Sequence, residues 1–159
     1  MIDVGSAPPL ELGDAFHRVM EMVSLPHGED LEEIAVAICA EAGITEATGA
    51  VVEMARRCLA SQSLSGSADG EEVHREVPFV TEHDGKVLIG RIDLLVRKDG
   101  DTVIVDYKTD AVEPGSEAWA AEGHQGQIGA YRHAVRTAAD AESNAQLSFA
   151  RTGRAIDIA

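Results

Sequence analysis

Apolar residues along the chain change their period near its middle. In the first part they recur at steps of three and four. Leu12, Phe16, Val19 and Val23 fall on one side of a helix expected from Leu10 to Ser24, and Pro26 stops it. Leu31 to Ala42 (LEEIAVAICAEA) is Ala-rich with strong helix propensity, and Gly43 is placed to end it. Thr45 is the expected cap of a third helix running to Leu59, with Val51, Val52, Met54, Ala55 and Leu59 as its apolar residues. Arg56 and Arg57 read as a solvated edge of that helix. Ser61 to Gly70 (SQSLSGSADG) is a Ser/Gly loop, and beyond it the pattern becomes that of strands.

Glu71 to Thr81 is strand-like through Val73, Val77, Phe79 and Val80, with Pro78 marking an edge or a bulge. Glu82-His83-Asp84-Gly85 turns the chain into a second strand, Lys86 to Val96. The turn at Lys98-Asp99-Gly100-Asp101 returns it as a third, with Gly100 free to take positive φ. Consecutive strands joined by tight turns predict an antiparallel meander. Val103, Ile104 and Val105 form an unbroken apolar run, the pattern of a strand covered on both faces. After Asp110 an irregular stretch containing Pro114-Gly115 leads into one long helix, Glu117 to Ala139. Ala145 to Ala150 and Arg154 to Ile158 read as a terminal hairpin. Residues 1–9 read as a linker or edge. The expectation is therefore one domain over 10–159, with a helical part over 10–60 and a sheet core with the long helix over 71–159.

At 159 residues the chain is long enough for a real core, and 45% hydrophobic residues argue against disorder. The formal charge of −15 changes the functional picture. Phosphate is bound through Lys and Arg, so a free domain this acidic is repelled by nucleic acid. Any nucleic-acid function then needs metal ions, a local basic groove, or basic surfaces on a neighbouring domain. Cys39 and Cys58 are isolated, with no CxxC spacing, so buried free thiols are expected rather than zinc or iron–sulfur ligands. No signal peptide and no apolar run long enough to cross a bilayer is present, which leads to the expectation of a soluble, cytoplasmic protein with no membrane partner.

Candidate chemistry concentrates in Gly90 to Asp110 (GRIDLLVRKDGDTVIVDYKTD). Side chains alternate along a strand, so Asp106 and Lys108 are expected on one face with Tyr107 opposite. On the partner strand Ile92, Leu94 and Val96 are expected to share a face, with Asp93 on the other. Two carboxylates and a lysine can then meet at one place. Such groups are costly to desolvate unless paired, metal-bound or at a mouth. Carboxylates at strand ends suit a hard divalent cation such as Mg²⁺ or Mn²⁺. A structural cation site has no use for an ammonium beside it, whereas a hydrolytic site does. Lys108 could orient or deprotonate an attacking water, or neutralise charge developing on a phosphorane-like transition state. Glu76 reads equally as a third acidic ligand, a support for one, or an exposed strand residue. A lone helical histidine such as His17 is more often a surface or satisfied core residue. Gly13, one turn before it, opens space for something to approach the imidazole. Gln127 and Tyr131, spaced i, i+4, project from one helix face with His124 a turn earlier; this stripe reads equally as site or surface.

These residues resemble the PD-(D/E)XK nuclease superfamily, and within it the RecB-like subfamily. Asp93 with Asp106-Tyr107-Lys108 is similar to its D…(D/E)-x-K signature, Gly90-Arg91-Ile92-Asp93 to its G-x-I-D block, and Val105 to Thr109 to its V-D-Y-K-T block. Gln127 to Tyr131 is similar to the downstream Q-x-x-x-Y motif, and Gly13 to His17 to the upstream G-x-x-x-H helix. The blocks stand in the family's order and span Gly13 to Tyr131. The resemblance implies an α/β, restriction-endonuclease-like fold, a mixed β-sheet core flanked by helices, with the site where the central hairpin splays open. It implies that His17, Asp93, Asp106 and the carbonyl of Tyr107 hold Mg²⁺ or Mn²⁺, that Asp93, Asp106 and Lys108 are catalytic, and that Gln127 and Tyr131 position DNA.

The implied activity is metal-dependent hydrolysis of DNA, with single strands as the expected substrate. The implied setting is the nuclease of a RecB- or AddA-type helicase–nuclease, covalently linked to helicase domains, working with a second subunit on DNA ends at the bacterial nucleoid. The branch with an iron–sulfur cluster carries four cysteines and is disfavoured here. No G-x-x-x-x-G-K-[ST] loop occurs, so ATP-driven unwinding is not expected in this stretch. A stand-alone nuclease and a non-catalytic binding module are the alternatives; the second normally requires a lost ligand or lysine, and none is lost.

Overall fold

A computed structural model describes residues 2–61 and 72–159. Of the expected Ser/Gly loop only Ser61 lies among them, and Glu71 lies outside. The helices are α1 Pro9–Met22, α2 Leu31–Glu41, α3 Thr48–Leu59, α4 Glu117–Glu122 and α5 Gln125–Ala139. The strands are β1 Glu72–His83, β2 Lys86–Lys98, β3 Asp101–Lys108, β4 Asn144–Phe149 and β5 Arg154–Ile158. They form a five-stranded sheet in the order β1-β2-β3-β4-β5, antiparallel except for the parallel β3–β4 pair. The fold is α/β with a mixed sheet between two helical layers.

Local chemistry accounts for most of these elements. Pro9 stands at the first position of α1, where its missing N–H costs nothing. Leu12, Phe16, Val19 and Val23 are all buried, as their spacing required. Gly43 follows α2 with φ of 71°, and the N–H groups of Gly43 and Ile44 return to Ala40 and Cys39, closing the helix end. Asp84-Gly85 and Asp99-Gly100 take positive φ at both hairpin tips, so the turn twist matches the strand twist. Pro78 sits on β1, an edge strand, where a missing N–H is tolerated.

Packing departs from the sequence pattern at three points. The expected long helix is broken at Gly123-His124 into α4 and α5, with His124 as the N-cap of α5. Glycine carries little helix propensity, and the N–H groups of Gly123 and His124 close tight turns back to Ala120 and Ala121. Thr45 does not cap α3 with its side chain. It opens a 3-10 turn, Thr45–Ala47, and its carbonyl accepts from the Thr48 hydroxyl at 2.8 Å. Ahead of α1 the segment expected as a linker has no regular structure, yet Ala7 is buried and Ile2 and Val4 pack against the helical core.

Each face of the sheet carries its own core. α1 to α3 cover one face, where Leu94, Val96, Val105 and Tyr107 are buried. α4 and α5 cover the other, where Ile104, Leu147 and Phe149 meet Ile128, Tyr131 and Val135. The apolar run of β3 is thus buried on both sides, as expected. Ile92, however, belongs to the second core while Leu94 and Val96 belong to the first. The expectation of a shared face is corrected. On the neighbouring strand Val73 packs with the first core and Val77 with the second, and Glu76 between them has φ of 49°. The two-stranded ribbon turns over at Glu76 and Asp93, where strict alternation fails.

Beyond that point the ribbon is held by Gly90. It pairs with Phe79, and a Cβ at Gly90 would lie 2.8 Å from Phe79 Cζ. The Phe79 ring cannot readily yield, because its centroid packs edge-on 5.4 Å from that of Tyr131. Gly90→Ala is therefore expected to destabilise the fold by about 1–3 kcal/mol through overpacking, read as a lowered Tm in a thermal melt. An unchanged melt would show that Phe79 is free to move.

Candidate active site

The ladder between β2 and β3 ends at Leu94 opposite Val105. The Tyr107 N–H instead donates to Asp93 Oδ2 at 2.8 Å. A side-chain carboxylate thereby closes the gap that the diverging strands open. The N–H and C=O of one strand residue point to the same side, so the Tyr107 carbonyl faces this gap as well. The Tyr107 ring goes the other way, buried against Phe16 with ring centroids 5.8 Å apart. That ring anchors β3 to the helical layer.

His17 reaches the gap from α1. Its Nδ1 lies 3.3 Å from Asp93 Oδ1, and its ring packs near Phe16 and Tyr107. Burial pulls the imidazole pKa down, but the hydrogen bond and charge of Asp93, with Asp106 and Glu76 behind it, outweigh this and raise it. Gly13 serves a different purpose from the one expected: a Cβ there would lie 3.3 Å from Thr109 Oγ1, so the glycine lets α1 approach the end of β3. Arg75 holds the far end of α1. Its guanidinium donates to the carbonyls of Met20, Glu21 and Val23, groups that a helix end leaves unpaired.

Asp106 and Lys108 point together to the α5 side, as alternation predicts. Asp106 is buried, with Lys108 Nζ 2.8 Å from its Oδ2. Lys108 also donates to Gln127 Oε1 at 2.9 Å, and Gln127 Nε2 donates to the Tyr131 hydroxyl at 2.6 Å. Tyr131 also feels the Asp106 charge, so Asp106, Lys108, Gln127 and Tyr131 form one linked group of four side chains. Burial, and then the charge of Asp106, push the Tyr131 pKa up, so the hydroxyl keeps its proton and remains a donor. Burial likewise raises Asp106, followed by repulsion from Asp93, against the opposing pull of Lys108. The pKa of His124, at the cap of α5, is lowered by burial and by the Lys108 charge.

Ligand atoms of His17, Glu76 and Asp93 all lie within 4.8 Å of one another. One nitrogen and two carboxylate donors fit a divalent cation, and the repulsion between the carboxylates is what such a charge would relieve. Glu76, left open by the sequence, is brought into this cluster by its positive φ. The structure thus assembles all the candidate residues at one gap. Asp106 stands beside the cluster but is engaged by Lys108. Arg75 and Phe79 carried no readable signal, because their partners lie far away in the chain. Cys39 and Cys58 are buried free thiols, and burial pushes Cys58 up to about 12, so neither is a reactive ligand. Among the described residues no helix is long and apolar enough to cross a membrane.

Comparison with known proteins gives a consistent picture. The family model for the PD-(D/E)XK nuclease superfamily matches residues 3–156. The chain is 30% identical over 150 residues to an ATP-dependent helicase/nuclease subunit of Oceanobacillus iheyensis, with 80% of this chain and 12% of that protein covered. Likeness to the protein of the same name from Clostridium beijerinckii is 28% over 152 residues, again with 12% of that protein covered. The chain therefore spans about an eighth of the length of these relatives. A crystal structure from Eubacterium rectale, provisionally identified as an exonuclease, shares the fold with a TM-score of 0.57 at 15% identity, covering 99% of this chain and 61% of the other.

The carboxylate cluster has a measurable consequence. Burial first, and then the Asp93 charge, raise the pKa of Glu76 above its ordinary value of 4.5. Folded Glu76 therefore binds its proton more tightly than unfolded Glu76, and stability is lost as pH rises from 4.5 through the raised value. Glu76→Gln removes that loss. In chelator the variant should melt above wild type at about pH 8, by less than about 1 kcal/mol because solvent screens a part-exposed group. The difference should shrink toward zero as pH falls toward 4.5. A variant less stable than wild type at alkaline pH would contradict the electrostatic reading.

Proposed function

The chain belongs to the PD-(D/E)XK nuclease superfamily, and on that premise we propose that it is a divalent-metal-dependent deoxyribonuclease domain. Its expected setting is the nuclease part of a helicase–nuclease that processes DNA ends in the bacterial cytoplasm, at the nucleoid. The observation that carries this reading is the Lys108 ammonium, tied to Asp106 beside the His17–Glu76–Asp93 cluster. A purely structural cation site gains nothing from a neighbouring cation. A site that must stabilise an increasingly negative phosphate does.

We assign His17, Asp93, Asp106 and the Tyr107 carbonyl to holding Mg²⁺ or Mn²⁺, with Glu76 as an added ligand. When bound, that cation would polarise the scissile phosphate and make an attacking water more acidic. Lys108 Nζ, oriented by Asp106 and Gln127, is then poised to position the water and to take up charge building on the phosphate oxygens. Gln127 and Tyr131 brace the lysine beside the aspartate, and we assign them to positioning the DNA strand. The single unit we propose spans 10–159, with Ile2, Val4 and Ala7 packed onto its helical core.

The charge of −15 fits a division of labour. Linked helicase domains, and a second subunit, would hold and feed single-stranded DNA, while this domain supplies metal and chemistry. Alone, it should bind DNA weakly and cut it slowly; tight, salt-resistant binding by the isolated chain would contradict that division. The direct test is cleavage of linear single-stranded DNA with Mg²⁺ or Mn²⁺. Asp106→Ala and Lys108→Ala should each lower the rate by roughly a hundredfold or more while keeping a cooperative melt. Equal activity in wild type and both variants would overturn the assignment.

A further inference from the structure

Beyond the turnover at Glu76 and Asp93, the outer face of the β1–β2 arm is left uncovered. Pro78 pairs with Arg91 and Val80 with Ile89, and alternation puts these four side chains on one face. Val80 is 71% exposed, Ile89 79% and neighbouring Val87 68%, an apolar strip of a kind that marks contact sites. Pro78, Val80, Ile89 and Arg91 line one concavity. Arg91 also lines the adjoining one, with His17, Glu76 and Asp14. One side chain thus joins the apolar strip to the candidate active site.

Arg91 is only loosely held. Its Nη1 lies 3.8 Å from Glu76 Oε2, beyond hydrogen-bond distance, whereas Arg18 in the same groove is engaged by Glu41 at 2.9 Å. A cation bound by Glu76 would release Arg91 altogether. An anionic strand crossing this groove passes Asp14, Glu21 and Glu76, and needs a positive group there. Pro78, Val80 and Ile89 offer no charge and no side-chain donor, and the exposed Glu82 opposite Val87 bounds the strip at its far end, so these three suit the face of an unpaired base rather than an anionic backbone.

The geometry points to a nucleotide subsite next to the scissile bond, with Arg91 on a phosphate and Pro78, Val80 and Ile89 under the neighbouring base. A duplex keeps its bases stacked and paired, so this subsite selects single-stranded nucleic acid. The inference rests on the nuclease reading, and deepens it.

The test uses the full chain with Mg²⁺ and a short single-stranded oligonucleotide, reading kcat/KM against monovalent salt. Arg91→Gln should lower kcat/KM about tenfold and reduce the slope of log kcat/KM against log salt by about 0.7, one phosphate contact on a single strand. Arg91→Lys should restore most of that slope, which a purely structural role would not do. Ile89→Ser, at an exposed position, should lower kcat/KM severalfold on the normal oligonucleotide. It should have no effect on one carrying an abasic residue beside the cut. An unchanged salt slope in Arg91→Gln overturns the inference. So does full activity of Ile89→Ser on the normal oligonucleotide, which would leave the strip as a protein contact. If the wild type cleaves no nucleic acid, the nuclease reading itself falls, and the subsite with it.

Discussion

The Asp93 carboxylate stands where a main-chain acceptor would stand in an unbroken sheet. By accepting the Tyr107 N–H it satisfies a part-buried donor while β2 and β3 diverge. Without it the gap would either close, by continuing the ladder past Leu94 and Val105, or leave that donor unpaired at a cost of about 1–3 kcal/mol. The same carboxylate uses its other oxygen on His17. One side chain thus ties the helical layer, the central hairpin and the candidate metal site together, and the two cores change sides around it.

Around that joint the structure holds more negative charge than it stabilises. Glu76 and Asp106 are both raised, burial being the first cause in each, with Asp93 next. Such frustration persists only where the surroundings are rigid. Tyr107 is locked against Phe16, Arg75 fastens the end of α1, and Gly90 lets Phe79 press on Tyr131. Each of these contacts holds an element that carries a candidate site residue.

How much of this was legible in the chain depends on how far each cause reaches. The Asp-Gly turns, the apolar run of Val103 to Val105 and the end of α2 at Gly43 are set by local conformational preference, and they came out as read. The face of Ile92 did not. Period-two alternation assumes a regular strand, and the positive φ at Glu76 on the partner strand removes that assumption. Neither the break at Gly123-His124 nor the 3-10 turn at Thr45 interrupts the apolar pattern, so pattern alone carried both helices straight through.

By itself the sequence determined the identity and order of the candidate groups. Asp106 and Lys108 share a face because a strand's geometry is local, and the similar blocks from Gly13 to Tyr131 named the remaining members. Only the tertiary structure decided which groups touch. Glu76 joins His17 and Asp93 rather than lying on the surface, and Asp106 is engaged by Lys108, which Gln127 and Tyr131 hold in turn. Those contacts arise where two layers meet across a gap in the sheet, and the gap exists because packing on both faces turns the ribbon over at Asp93. No spacing along the chain records that turn, since its cause is the competition of two cores for the same strand.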